Sequence, residues 1–170
     1  EGVKGKRAVE WGLVDAVAPT SQFKQRVAEY AQTLASESDR PQGAPGITLS
    51  ALDPEVTGDR IAYKNVAVEI DRDKRLATMT VTGPSGPQPS TTEAIVAAGD
   101  RFWPIQAFRE LDDAVLRLRI NEPLIGTIVL KTRGDHRAML GMDALLIANA
   151  GHWLVREAIL FIKRTLKRVD

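Results

Sequence analysis

The chain has 170 residues, 44% of them hydrophobic and 26% charged, the composition of a globular domain rather than of a disordered or fibrous chain. Lys and Arg number 23 against 22 Asp and Glu, and the formal net charge of +1 sets up no field that would gather nucleic acid or an anionic membrane. There is no Cys, which excludes disulfides, thiolate metal sites and a thiol nucleophile within these residues, and no apolar run approaches the roughly 20 residues that a membrane helix needs.

In chain order, residues 6–11 read as a short helix closed by Gly12, followed by an extended apolar run (Leu13, Val14, Val17) up to Pro19. The hydroxyl of Thr20 or Ser21 then suits a helix cap. Phe23, Val27, Tyr30, Ala31 and Leu34 recur at helical spacing among Lys24, Gln25, Glu29 and Gln32. This second helix has one apolar stripe and no neighbouring element large enough to cover it. Each large side chain left in water forgoes about 1.5–3 kcal/mol, so the stripe calls for a docking surface.

Residues 39–60 carry Pro41, Gly43, Pro45, Gly46, Pro54 and Gly58 with little periodic hydrophobicity, and read as a linker between a first unit (1–38) and a second (61–170). The second unit opens with a strand–turn–strand pattern. Val66, Val68 and Ile70 alternate with Ala67, Glu69 and Asp71. A charged turn spans 71–75, and Leu76, Thr78, Thr80 and Thr82 then alternate with Ala77, Met79 and Val81. The loop 83–89, with three prolines, cannot extend either ladder. A helix is predicted over 105–120 from Phe108, Leu111, Val115 and Leu118, ending at Asn121-Glu-Pro123. Residues 125–131 read as a buried strand, 132–140 as a polar loop, and 141–150 and 152–169 as helices bent apart at Gly151. The last helix has one face of Leu154, Ala158, Phe161, Ile162 and Leu166. Its cations Lys163, Arg164, Lys167 and Arg168 read as a solvated face that suits a helix C-terminus. Strand, strand, helix, strand, helix is the order of an α/β unit, and there is no internal repeat.

Few residues announce chemistry. His136 reads as a solvated loop residue and His152 as a structural one at a helix start; two separated histidines do not make a metal site. Glu110, Asp112 and Asp113 share a helix but point in different directions, the pattern of a solvated face. Trp11, Trp103 and Trp153 have no interleaved basic patch and read as packing residues.

Two segments resemble one family. Gly5-Lys-Arg-Ala-Val-Glu-Trp-Gly-Leu-Val-Asp-Ala-Val-Ala-Pro19 resembles the late part of the enoyl-CoA hydratase/isomerase (crotonase) superfamily, downstream of its catalytic residues. Gly126-Thr-Ile-Val-Leu-Lys-Thr-Arg-Gly-Asp-His-Arg-Ala-Met-Leu-Gly-Met-Asp143 resembles the segment in which a buried strand ends in a loop and an A-x-G-x-D turn opens a helix. The pair of strands over 66–82 and the helix over 105–120 are similar to the first strands and first long helix of that fold. Arg101-Phe-Trp-Pro104, Phe108-Arg-Glu-Leu-Asp-Asp113 and Gly151-His-Trp-Leu-Val-Arg-Glu157 resemble its tandem-module, ring-opening members.

The resemblance implies an α/β, crotonase-like (ββα spiral) architecture with the tail of one module and the head of a second, as the central segment of a longer polypeptide. It implies a cytoplasmic lyase or hydrolase in aerobic benzoate degradation. The implied reaction opens the ring of 2,3-epoxy-2,3-dihydrobenzoyl-CoA by hydration, releases formate and leaves an aldehyde-bearing acyl-CoA. No cofactor is implied, since the coenzyme A belongs to the substrate. The implied partners are that acyl-CoA, the remainder of the same polypeptide and further copies in a homo-oligomer, with no nucleic acid and no membrane. In the family the residue before the Asp lends a backbone N–H to an oxyanion hole, which here is Met142. Leu140 and Met142 are bulky where small residues are usual, and the plainer reading is that Gly141 permits a turn and Asp143 sits at a helix start. The second donor and the paired carboxylates fall outside these residues, so the isolated chain is expected to be inactive. Two other readings stay open: a non-catalytic scaffold or oligomerisation module, and a piece of a generic enoyl-CoA hydratase/isomerase.

Overall fold

The computed structural model describes residues 2–39, 43, 44 and 46–169. Pro41 and Pro45, counted above among the breakers of the linker, lie outside the described residues. The chain divides into two units at Gly46 and Ile47.

In the first unit, α1 (Lys6–Glu10) ends as its glycine dictates. Gly12 takes φ +66°, Leu13 N–H donates to Ala8 O at 2.9 Å and Gly12 N–H to Val9 O at 2.9 Å, a Schellman closure. A 3-10 turn over Thr20–Gln22 leads into α2 (Phe23–Ser36). No side chain caps α2, against the expectation for Thr20 or Ser21: the turn places Gln22 at the cap, and Gln22 N–H donates to Pro19 O at 2.9 Å. Among the described residues of this unit only Ala8 is buried. Phe23, Val27, Tyr30 and Leu34 are about half exposed, so the described residues of this unit leave the stripe on α2 uncovered.

The second unit is a five-stranded sheet in the order β1 (Glu55–Thr57), β2 (Arg60–Ala62), β3 (Val66–Asp71), β4 (Leu76–Thr82), β5 (Thr127–Arg133). The first four strands form an antiparallel meander, and β5 joins β4 in parallel. Between β4 and β5 the chain makes α3 (Thr92–Ala98), a 3-10 turn and α4 (Trp103–Asn121), the crossover that a parallel pair requires. Two helices follow, α5 (His136–Ala148) and α6 (Trp153–Val169). The expected linker therefore ends too late. Residues 55–60 already belong to the sheet, through strands of three residues with a single buried side chain, Ile61, too short for an alternation to register.

One face of the sheet is apolar. Val66, Val68, Ile70, Ala77 and Met79 are buried against Leu111, Ala114, Val115 and Leu118 of α4. A second cluster joins the first turns of α4 (Trp103, Ile105, Ala107) to Ile95 of α3, Met142 and Leu146 of α5, and Leu154, Val155 and Ala158 of α6. At about 25 cal/mol per Å² of apolar surface, these two clusters carry most of the unit's burial. The face expected on α6 is rotated slightly: Leu166 is half exposed and Thr165 is fully buried. The β3–β4 turn is pinned to the α4–β5 connection, since Arg75, at φ +53°, accepts Gly126 N–H at 2.9 Å and donates from Nε to Leu124 O at 2.7 Å.

Candidate functional site

β4 and β5 end on the same edge of the sheet, and the ends of parallel strands are where open α/β sheets collect loops and ligands. The two ends touch. Gly83 N–H donates to Arg133 O at 2.7 Å, and a Cβ on Gly134 (φ +144°) would stand 3.1 Å from Gly83 Cα. Trp103 is buried beneath them and donates from Nε1 to Thr82 O at 3.0 Å. Thr82 N–H in turn donates to Asn65 O at 2.7 Å, which brings the β2–β3 bend to the same place.

That bend is held by polar residues of α4. Glu110, only 2% exposed, accepts Asn65 N–H at 2.7 Å and the Asn65 side-chain amide at 3.2 Å. One turn on, Asp113 accepts the Tyr63 hydroxyl at 2.6 Å and Arg117 Nε at 2.7 Å, while Arg168 Nη1 donates to Asp112 at 2.9 Å. The carboxylates read from sequence as a solvated face are thus engaged: α4 is covered there by the bend and by α6, not by water. Burial pushes the Glu110 carboxyl above its ordinary pKa, while the Asn65 hydrogen bonds pull the other way. Burial first, then the bond to Asp113, raises the Tyr63 hydroxyl. A carboxylate so enclosed and so bonded orients backbone. Sequence reasoning missed the Glu110–Asn65 pair, although Glu110 sits between Ala107, Leu111 and Ala114, all buried, and that spacing is the signal.

Met142 is not where the family motif would place it. α5 opens at His136, six residues before Met142, because Asp135 caps it: Asp135 Oδ1 accepts Arg137 N–H at 2.6 Å and Ala138 N–H at 3.2 Å. The loop expected over 132–140 and the turn expected at 140–143 are β5, a short bend and helix instead. Met142 therefore lies mid-helix with its side chain buried, and in a helix its N–H belongs to the carbonyl four residues back. Asp143 is likewise interior and exposed, not at a helix start.

His136 is exposed on the first turn of α5. His152 precedes α6, accepts Arg156 N–H at 2.9 Å through its carbonyl, and has a buried Nδ1 without a hydrogen-bond partner among the described residues. Among the described residues no three His, Asp or Glu side chains converge as metal ligands. Trp11 is 58% exposed with the Arg7 guanidinium over its ring, so of the three tryptophans it departs most from the packing role. In the first unit, an open groove of about 580 Å³ runs between residues 14–19 and α2, lined by Val14, Val17, Phe23, Val27 and Tyr30. Its lining is largely the uncovered stripe.

No family model matches the chain. Over all 170 residues it is 43% identical to the benzoyl-CoA-dihydrodiol lyase of Aromatoleum evansii, and it spans 31% of that protein's length. None of its described helices is long and apolar enough to cross a membrane.

Proposed function

We propose that the chain is a segment of a ring-opening lyase that acts on a coenzyme A thioester. The proposed substrate is 2,3-epoxy-2,3-dihydrobenzoyl-CoA, hydrated to an aldehyde-bearing acyl-CoA with release of formate. The observation that carries this reading is the 43% identity, over the whole chain, to a lyase named for a benzoyl-CoA dihydrodiol. With it goes the proposal of a crotonase-like fold, as the tail of one module and the head of another, in a cytoplasmic homo-oligomer.

Chemistry of this kind stabilises charge on the thioester oxygen with backbone N–H donors and moves protons through carboxylates. Within this chain the Met142 N–H serves such a hole only where α5 unwinds as far as that residue, and Glu110 is sealed behind Asn65. The chain's part is therefore the frame: α4 fixes the bend at Asn65 and the strand ends at Thr82 and Gly83, against which other segments set the acids. That same pair of observations favours a second reading of residues 61–170 as a scaffold that completes a neighbouring module. The test is an assay of the full-length polypeptide on the epoxide thioester. One formate per thioester consumed is the expected result; consumption without formate, or none, overturns the reading.

A further inference from the structure

We propose that residues 47–54 are a latch: a strap fastened to the second unit by Asp100 and Arg109, whose opening lengthens the connection between the two units. These eight residues lie between the division at Gly46 and Ile47 and the first strand. They form no helix or strand, and most of them are exposed. Among the described residues they make no backbone–backbone hydrogen bond. A stretch with its backbone in water opens at low cost, yet this one belongs to the compact second unit.

What fastens it is concentrated on one residue. Asp100 Oδ2 accepts Ser50 N–H at 2.6 Å, and Arg109 Nη2 donates to Ser50 O at 2.6 Å. Arg109 Nη1 also donates to Asp100 Oδ2 at 3.3 Å, so the two side chains and the backbone of Ser50 close a ring. Asp100 lies in the 3-10 turn before α4 and Arg109 in α4, with side chains 12% and 18% exposed. Hydrogen bonds to ionised groups are stronger than neutral ones, and here they are largely shielded from water. The Ser50 N–H first, against the opposing effect of burial, then the Ser50 hydroxyl, Arg109 and Arg101, hold the Asp100 carboxyl below the ordinary carboxylate range. The clamp therefore keeps its charge in mild acid.

A second, apolar anchor lies three residues upstream. Ile47 is partly buried at the rim of the cluster that includes Ile95 and Phe102, and it packs over Gly99, where a Cβ would come within 4.0 Å of it. The body beneath has its own support. Leu111, Ala114, Val115 and Leu118 of α4 pack against the sheet in the other cluster. One gripped peptide and one apolar contact, with no ladder between them, let the strap lift while α4 stays docked. Lifted, eight residues at about 3.3–3.6 Å each add roughly 26–29 Å of reach. Fastened, they add none.

The chain has no Cys, so Gln32→Cys on α2 and Lys163→Cys on α6, both exposed, are unique sites for spin labels. The distance distribution between them is measured in the 170-residue chain alone, with Arg109→Ala, which removes the clamp, and with Ser50→Pro, which removes the N–H from the strap itself. Both variants should shift the distribution to longer distances and broaden it. A distribution that either variant leaves unchanged overturns the proposal. Hydrogen exchange supplies the second reading. The Ser50 amide should exchange at least about 10-fold more slowly than those of Leu49 and Ala51. Arg109→Ala should abolish that difference and leave Leu111 and Val115 slow. A Ser50 amide as fast as its neighbours overturns the proposal. So does loss of protection at Leu111 and Val115 together with Ser50, since the strap is then part of the core.

Discussion

The carboxylate of Glu110 holds Asn65 twice, through its backbone N–H at 2.7 Å and through its side-chain amide at 3.2 Å. Because Asn65 O accepts Thr82 N–H, this one pair couples α4 to the end of β4. Burial raises the Glu110 pKa in the folded chain, so the sign is fixed. Its contribution to stability is full below the unfolded carboxylate value, about 4.3, and is lost as pH rises through the folded one. Glu110→Gln keeps an acceptor for Asn65 N–H and carries no charge to desolvate. Urea unfolding of both proteins from pH 4 to 8 should therefore show the wild type losing stability relative to Glu110→Gln as pH rises. A wild-type advantage that grows with pH contradicts this. Glu110→Ala leaves a buried N–H without an acceptor and should cost about 1–3 kcal/mol.

Gly134 and Gly83 should respond unequally to a methyl group. At Gly134 the backbone is at φ +144° and the new Cβ meets Gly83 Cα at 3.1 Å and its N at 3.2 Å. At Gly83 the nearest atoms are Arg133 O at 3.4 Å and the flexible Met139 Sδ at 3.5 Å. Gly134→Ala should destabilise by about 1–3 kcal/mol and Gly83→Ala by clearly less, as read by denaturant midpoints. Equal costs contradict the close approach of the two strand ends.

Trp103 is both a packing and a polar residue. Its ring meets Phe108 edge-on at 6.3 Å between centroids, and its Nε1 reaches Thr82 O. Trp103→Phe removes a buried hydrogen bond worth about 0.5–1.5 kcal/mol and leaves a void besides. A loss of at least about 1 kcal/mol with an unchanged denaturant slope is expected; a neutral substitution would show that the indole N–H has no partner in solution.

Arg168 and Asp112 tie the end of α6 to α4 at 2.9 Å, with side chains 34% and 16% exposed. A double-mutant cycle with alanines should give a coupling of about 0.2–1 kcal/mol that shrinks in high salt. No coupling would detach the end of α6 from α4.

The hairpin of β3 and β4 was legible because alternation over six and seven residues coincides with burial, Val66, Val68 and Ile70 on one strand and Ala77 and Met79 on the other. The stripe of Leu111, Val115 and Leu118 gave α4 for the same reason. β1, β2 and α3 were not legible: each is short and buries at most one hydrophobic side chain. The start of α3 had a signal in Thr91, whose hydroxyl accepts Ala94 N–H at 3.2 Å. The start of α5 had one in Asp135, overridden by the family motif eight residues further on. The site failed for a related reason. Periodicity finds apolar faces, and a buried carboxylate such as Glu110 is seen only once its partner, 45 residues earlier in the chain, is brought beside it.

In the proposed function these residues frame a ring-opening site without completing it. The most direct measurement is formate release from 2,3-epoxy-2,3-dihydrobenzoyl-CoA by the purified 170-residue chain, at high protein concentration beside the full-length polypeptide. No formate from the chain and stoichiometric formate from the full-length polypeptide is the predicted result. Turnover by the chain alone would contradict it.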